Sequence, residues 1–430
     1  EAGDTIESPS IICGYCGNGF TGMSHNLHSF ARNTIMKQDR KMVLYNSWEA
    51  TEFNVTCQHQ IDLARKAATL GAELFVLDDG WFGQRHGINN GLGDWYVNEE
   101  KFPDGLNPLI DVVKQCGMKF GIWIEPEMVN PPTDLYKKHP DWIYQFDKVE
   151  SDTSRGQYVL NITLPEVKSY ILTMIENLLS NHDIAYIKWD ANRPISQSSN
   201  NKEIWHNHIL AVYDIVAKVK QKFPNVIFEA CASGGGRIDY GALTYFDDFW
   251  TSDNTDAFDR LTIQESYSFI YPIKAMRAWV TDCPNFLSKR NIPLRFRFHS
   301  AMMGTLGIGS NILKITAEDE VVYREMIEKY KEIAHIVQEG DFYRLKPISQ
   351  NKYYAFQYVY NDESLVYVFL PQTIIGHDRA RILLRGLDPS KQYNVAMQGA
   401  TITKSGEYLM NFGIQIKLTG DYASEIIEIK

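Results

Sequence analysis

From Met42 to about Ile336 the chain alternates short apolar runs with longer stretches in which apolar residues recur every three to four positions. The runs are MVLYNSW, ELFVLDDGW, KFGIWIEPE, AYIKWD, VIFEACAS and DFWTSD, followed by the less sharply bounded AMRAWVTD and MMGTLGIG. Runs rich in Val, Ile, Phe and Leu, separated by amphipathic segments, are the pattern of βα units around a buried parallel sheet. Eight of them predict an α/β protein with a closed (β/α)8 TIM barrel over residues 41–338. The first intervening helix is expected over Asn54 to Leu70, with Asn54 as N-cap before VTCQHQIDLARKAATL and Gly71 as its stop.

From about Phe342 the period changes. YYAFQYVYND, SLVYVFLPQ, RILLRGLDPSKQYNVA, IQIKLTG and SEIIEIK lie at hairpin spacing and predict a C-terminal antiparallel β-sandwich domain over 339–430. Residues 1–40 read as the remnant of an N-terminal β domain plus a connecting helix, with SPSIICGY strand-like and MSHNLHSFARNTIM helical. There is no fixed-period repeat and no low-complexity linker, so the barrel and the β domain are expected to pack tightly.

Composition narrows the ligand. A chain of 430 residues, 44% hydrophobic and 13% aromatic, can bury a large core. Its 53 acidic and 43 basic residues are interspersed and give a net charge of −10, which excludes a basic stripe for nucleic acid and favours a small neutral ligand, sugar over phosphate. No run approaches the length of a membrane span, and EAGDTIESPS has neither a basic n-region nor an apolar core, so no membrane association is expected and the cytoplasm is the expected location. The missing initiating Met suggests a start inside a longer polypeptide, or processing. The six cysteines are too sparse for a disulfide framework, and Cys13 and Cys16 lack the second ligand pair of a zinc site, so a structural role is favoured for them.

The chemistry follows the apolar runs. Asp78 and Asp79, Trp123 with Glu125 and Glu127, Lys188 with Asp190, Cys231 with Ser233, and Ser252 with Asp253 each end one, at the face where TIM barrels place their sites. In IKWDANRP, Lys188 and Asp190 stand two apart and both can face the axis while Trp189 turns outward. The ammonium is expected to keep Asp190 ionised, as a glycosidase nucleophile must be. The partner acid is expected in SDNTD, at Asp253 or Asp256, with strand-end placement favouring Asp253. Trp48, Trp81 and Trp123 fall at strand ends beside acids, the pairing of aromatic face and carboxylate that sugars select.

Plainer readings compete. Lys188 and Asp190 could be a structural ion pair, and Asp78 and Asp79 a helix cap or a metal site, although no histidine falls at ligand spacing. Gly234 to Gly236 lack the Lys-Ser/Thr of a phosphate loop. Glu125 and Glu127 are read as braces of the barrel mouth, while Trp95 and Trp250 stay open between core and subsite wall. No metal and no cofactor are expected.

NSWEA, LDDGWF with GLGDW, WIEPEM, RGQYVLN, IKWDANR, CASGGGR and FWTSDNTD, in this order from about Ser24 to Asn285, resemble the catalytic domain of family-36 glycoside hydrolases, the α-galactosidases. The resemblance implies a retaining double displacement on terminal α-galactose of melibiose- or raffinose-type oligosaccharides, with Asp190 as nucleophile and Asp253 as acid/base. It further implies Asp78 and Asp79 on the C4 and C6 hydroxyls, Trp48 and Trp123 as walls of the sugar subsite, and Arg155 and Lys188 as donors. Cys231 and Gly234 would crowd the C2 hydroxyl, which argues for galactose over N-acetylgalactosamine. Family members usually carry a large β-sandwich before the barrel and some are tetramers, so a homo-oligomer is an expectation. A raffinose- or stachyose-synthase-like galactosyl transferase, an α-N-acetylgalactosaminidase and a non-catalytic sugar-binding barrel remain alternatives.

Overall fold

Each of the eight apolar runs becomes a parallel strand. They are β1 (Leu44–Asn46), β2 (Leu74–Leu77), β3 (Lys119–Ile124), β4 (Tyr186–Trp189), β5 (Ile227–Ala230), β6 (Asp248–Trp250), β7 (Met276–Val280) and β8 (Thr305–Ile308). Neighbours in sequence are neighbours in space, and β8 pairs with β1 to close the barrel. This computed structural model describes residues 1–430 apart from 1, 2, 4, 6, 7, 37–39, 147, 199–202, 374, 377 and 378. Residues 1, 2, 4, 6, 7 and 37–39 belong to the N-terminal remnant read from the sequence, which to that extent lies outside the described residues.

Alternation decides which side chains fill the barrel. Leu44, Leu74, Val76, Tyr186, Cys231, Trp250 and Trp279 form the inner core, whereas Ile187 and Trp189 join the larger core between strands and helices. The Trp279 indole is accommodated by Gly307 on the adjacent strand, where a Cβ would stand 2.7 Å from the ring. A helix follows every strand: α2 (Cys57–Leu70), α3 (Asn107–Gln115), α4 (Pro165–Asn181), α5 (Ile204–Lys222), α6 (Tyr240–Tyr245), α7 (Ala257–Tyr267), α8 (Leu294–Ala301) and α9 (Ala317–Glu339). Ahead of them, α1 spans Gly19–Thr34. Among the described residues no helix is long and apolar enough to cross a membrane.

Two local expectations are corrected. The cap of α2 is Thr56, not Asn54: Thr56 is extended and its hydroxyl accepts from the His59 amide at 3.3 Å, while the Asn54 amide is used by the Thr51 carbonyl at 2.9 Å. Gly71 ends the helix as expected, with φ +101°. SPSIICGY forms no strand and buries little, with Ile11 and Tyr15 82% and 93% exposed.

The C-terminal region places Asp341–Lys346 (β9), Tyr354–Tyr360 (β10), Glu363–Leu370 (β11), Gln392–Met397 (β13), Ala400–Ser405 (β14) and Ala423–Ile429 (β16) in one antiparallel sheet. Arg379–Ile382 (β12) pairs with Ile414–Lys417 (β15), and their apolar side chains pack against the larger sheet over Val366, Val368, Val395 and Ile427. The sheet is anchored to the barrel by the Tyr367 hydroxyl, which donates to the Met302 carbonyl at 3.0 Å, and by Arg344, which reaches Ser24 of α1 and Ser268.

Candidate active site

The segment IKWDANRP turns from strand to loop at Asp190. Its amide donates to the Ile124 carbonyl at 2.8 Å, which fixes the end of β4 against β3. The Asp190 carboxylate accepts from Trp123 Nε1 at 3.2 Å and Asn192 Nδ2 at 2.7 Å on one oxygen, and from the Ala191 amide at 2.8 Å on the other. Three donors on one carboxylate hold its orientation. Lys188 does not pair with it directly, although the sequence led us to expect this. Its ammonium instead pairs with Asp78 Oδ2 at 2.8 Å and lies 3.8 Å from the centre of the Trp250 ring. Burial disfavours this ammonium, but Asp78 and the surrounding acids outweigh it and hold its pKa above the ordinary lysine value. Trp189 turns outward as expected and donates to Glu127 Oε1 at 2.7 Å.

Asp78 and Asp79 end β2 with separate partners. Asp78 accepts from Asn46 Nδ2 at 2.6 Å as well as from Lys188, and both its carboxylate and that of Asp79 are buried. Arg85 grips Asp79 with two parallel bonds of 2.9 and 2.7 Å. Burial raises the Asp79 carboxyl, and the Arg85 fork opposes that rise. Trp123, 2% exposed, stacks on Phe82 at 6.0 Å; Trp48 is half-buried, edge-on to Phe53. Trp81, by contrast, is a fully buried brace whose indole donates to the Trp123 carbonyl at 2.9 Å.

The two acids of SDNTD stand in different surroundings. Asp256 is the N-cap of α7: its buried carboxylate accepts from the Phe258 and Asp259 amides, each at 3.0 Å, and pairs with Arg290 at 2.8 Å. Asp253 is exposed at the mouth beyond β6. The low-dielectric surroundings and the nearby Asp190 charge raise its carboxyl pKa, while Lys188, Trp250 and Arg155 oppose the shift. The loop CASGGGR packs against this strand end. Gly234 has φ +92°, and a Cβ there would lie 2.8 Å from Ser252 Cα and 3.1 Å from the Asp253 amide. Cys231, held by its amide on the Trp189 carbonyl at 2.9 Å, is buried, and burial followed by Asp190 pushes its thiol well above the ordinary range. Arg155, exposed and in the left-handed region at φ 54°, joins the cluster through Asn192 Oδ1 at 3.2 Å.

A family model for melibiase matches residues 5–340, and one for the C-terminal domain of glycosyl hydrolase family 36 matches 353–429. The chain belongs to the melibiase family. Among the chain's relatives, α-galactosidase C of Emericella nidulans is 38% identical over 99% of the chain and 58% of the relative, and α-galactosidase AgaA of Geobacillus stearothermophilus is 36% identical over the full chain and 60% of the relative. The crystal structure of AgaA superposes with TM-score 0.92 at 37% identity, covering 96% of this chain and 59% of that one; variants of AgaA have been crystallised with raffinose and with stachyose. The α-galactosidase from Lactobacillus brevis superposes equally, with TM-score 0.92 at 34% identity over 96% of this chain and 58% of its own. The chain thus spans about six tenths of the length of the relatives it matches.

Glu125 and Glu127 lie buried behind the barrel mouth, as the sequence led us to expect of braces. Glu127 receives the Trp189 indole, His208 at 2.8 Å and Arg237 at 2.7 Å; burial works against its charge, yet these partners lower its pKa to about 2. Glu125, fully buried, accepts the Asn192 amide and the Gln157 side chain, and burial together with Asp190 raises its carboxyl. Sequence reasoning missed Asn192, which ties Asp190, Arg155 and Ser233 together. Its place two residues beyond Asp190 was the available signal. Asn46 and Arg85 were missed too, since nothing in their spacing points to the partners they meet across the fold. Among the described residues no group of three His, Cys, Asp or Glu side chains is placed to hold a metal ion.

Proposed function

We propose that this member of the melibiase family is a retaining α-galactosidase that releases terminal α-linked galactose from melibiose- and raffinose-type oligosaccharides. The observation that carries the reading is a pair of mouth carboxylates in opposite environments. Asp190 is held by three hydrogen-bond donors, whereas the Asp253 carboxyl is pushed toward its protonated form by desolvation and by the Asp190 charge, against the weaker pull of Lys188, Trp250 and Arg155. One carboxylate fixed in place by donors and a second carboxyl inclined to hold its proton are the arrangement a double displacement needs.

Asp190 attacks the anomeric carbon from the face opposite the departing oxygen. Asp253 gives its proton to that oxygen, so the leaving sugar departs as an alcohol and a β-linked galactosyl ester forms on Asp190. Asp253, now ionised, takes a proton from water as the water attacks the same carbon. The ester breaks, α-galactose leaves, and two inversions give retention. Asp78 and Asp79 accept the C4 and C6 hydroxyl protons, Lys188 and Arg155 donate to sugar oxygens, and Trp48 and Trp123 wall the ring. Cys231 and the Gly234 turn crowd C2, which selects galactose over its N-acetylated analogue.

The reading is tested by NMR of the anomeric proton during cleavage of an aryl α-galactoside. α-Galactose must appear first and mutarotate later; β-galactose as first product would overturn the assignment of retention. Two further readings go with it. The six free thiols support a cytoplasmic setting, tested by cell fractionation. Exposed Ile11 and Tyr15 support a homo-oligomer, tested by sedimentation velocity.

A further inference from the structure

Beneath the mouth, the barrel interior carries charges that the displacement chemistry does not use. Lys188 and Glu229 are register partners on β4 and β5, and Glu229 is in turn the partner of Asp248 on β6, so the three project inward at one level. Asp248 takes both deeper cations, Arg277 at 2.6 Å and Lys41 at 3.0 Å. Asp78 takes Lys188. The pairing is therefore uneven: Glu229 is fully buried without a cation of its own. The Tyr186 hydroxyl donates to its Oε2 and also lies 3.3 Å from Asp248, while its Oε1 has no hydrogen-bond partner among the described residues.

We propose that Glu229 is a positioning residue that governs whether the Lys188 ammonium stays on the sugar-binding carboxylate Asp78. Ionised, Glu229 draws the ammonium down toward its unpartnered oxygen; protonated, it leaves the ammonium on Asp78. The inference rests on reading Asp78 and Lys188 as galactose ligands.

The surroundings single out Lys188 as the group that responds. Acting on Glu229 are Tyr186 and Lys188 from β4, Asp248 from β6 and Arg277 from β7, while Cys231, just past the end of β5, acts on Lys188. Arg277 and Lys41 are held by Asp248, and the Cys231 thiol is kept protonated by burial. The Lys188 stem is flexible, and Trp250 beneath its ammonium reports any displacement. Burial raises the Glu229 carboxyl to about 7, against the pull of Lys188, Tyr186 and Arg277. The proton is thus lost as pH rises through neutrality, and galactose affinity falls over the same range. If galactose binding raises the Glu229 pKa by about half to one unit, the dissociation constant changes about three- to tenfold.

The test is galactose binding by titration calorimetry from about pH 5.5 to 8.5, with tryptophan fluorescence of the sugar-free protein followed over the same range. In the wild type both should change with a midpoint near neutrality. Glu229→Gln should bind galactose with a flat pH dependence and show no fluorescence transition; a Gln variant that keeps the wild-type slope overturns the proposal. Tyr186→Phe removes the one side-chain donor that the Glu229 carboxylate has among the described residues and should move the midpoint upward, and an unmoved midpoint likewise counts against it. Hydrolysis of p-nitrophenyl α-galactoside separates the two readings. A wild type without that activity contradicts the α-galactosidase assignment, while the sugar-free fluorescence titration still decides the role of Glu229.

Discussion

Replacing Lys188 with Met tests which carboxylate the lysine serves. In the structure the ammonium is 2.8 Å from Asp78, with the two side chains 5% and 4% exposed. At an effective dielectric constant of about 20 the gross attraction at that distance is about 6 kcal/mol, most of it offset by the desolvation of both ions. Removing one partner leaves a buried charge unpaired, so Lys188→Met and Asp78→Asn should each destabilise by about 3–5 kcal/mol. The double variant leaves no lone charge and should cost less than the sum, with a coupling of about 2–3 kcal/mol. The assay is urea unfolding at about pH 5.5, where Glu229 is protonated, across the full cycle, repeated for Lys188 with Asp190. Because the folded-state pKa of Lys188 is raised, its contribution is fully present below the unfolded value of about 10.4 and is lost only as pH rises through the higher folded value. Additivity of the Lys188 and Asp78 variants to within about 0.5 kcal/mol, or a larger coupling between Lys188 and Asp190, would refute this pairing.

Other consequences can be checked alongside. Glu127, lowered from 4.5 to about 2, should contribute about 3 kcal/mol that is present above pH 4.5 and lost as pH falls toward 2. Urea titrations at several pH values should show that slope in the wild type and lose it in Glu127→Gln. Asp253→Asn should slow melibiose hydrolysis by about 10²–10⁴-fold. Asp256→Asn should mainly weaken the α7 cap, by about 1 kcal/mol or more; kinetics showing the reverse order would make Asp256 the acid. Gly234→Ala should destabilise by about 1–3 kcal/mol and depress kcat through the Asp253 strand end, because the added methyl meets Ser252 Cα at 2.8 Å.

Apolar periodicity carried most of the fold, because a strand buried on both faces must be continuously apolar and a helix that covers it must be amphipathic. All eight barrel strands lie within the runs read from the sequence. The edge strand β14 escaped notice since ATITKS is largely exposed and has no inward apolar alternation to betray it. Thr56 displaced Asn54 as cap because capping is decided by backbone conformation one or two residues from the helix, a scale at which side-chain preference alone is ambiguous. In the site, residues at strand ends were legible from their position, but their partners were not. Lys188 stands two residues from Asp190 in sequence yet bonds Asp78, 110 positions away, because closing the barrel brings β2 and β4 to one interior. Asn192 and Arg85 act through the same kind of cross-strand contact.

The central claim is that Asp190 forms the covalent galactosyl intermediate. Asp190→Gly should hydrolyse an activated aryl α-galactoside far more slowly than the wild type, and added azide should restore turnover by entering the vacated face. The product identified by NMR should then be β-galactosyl azide. Azide without effect, or rescue yielding the α-azide, would contradict the assignment of Asp190 as nucleophile.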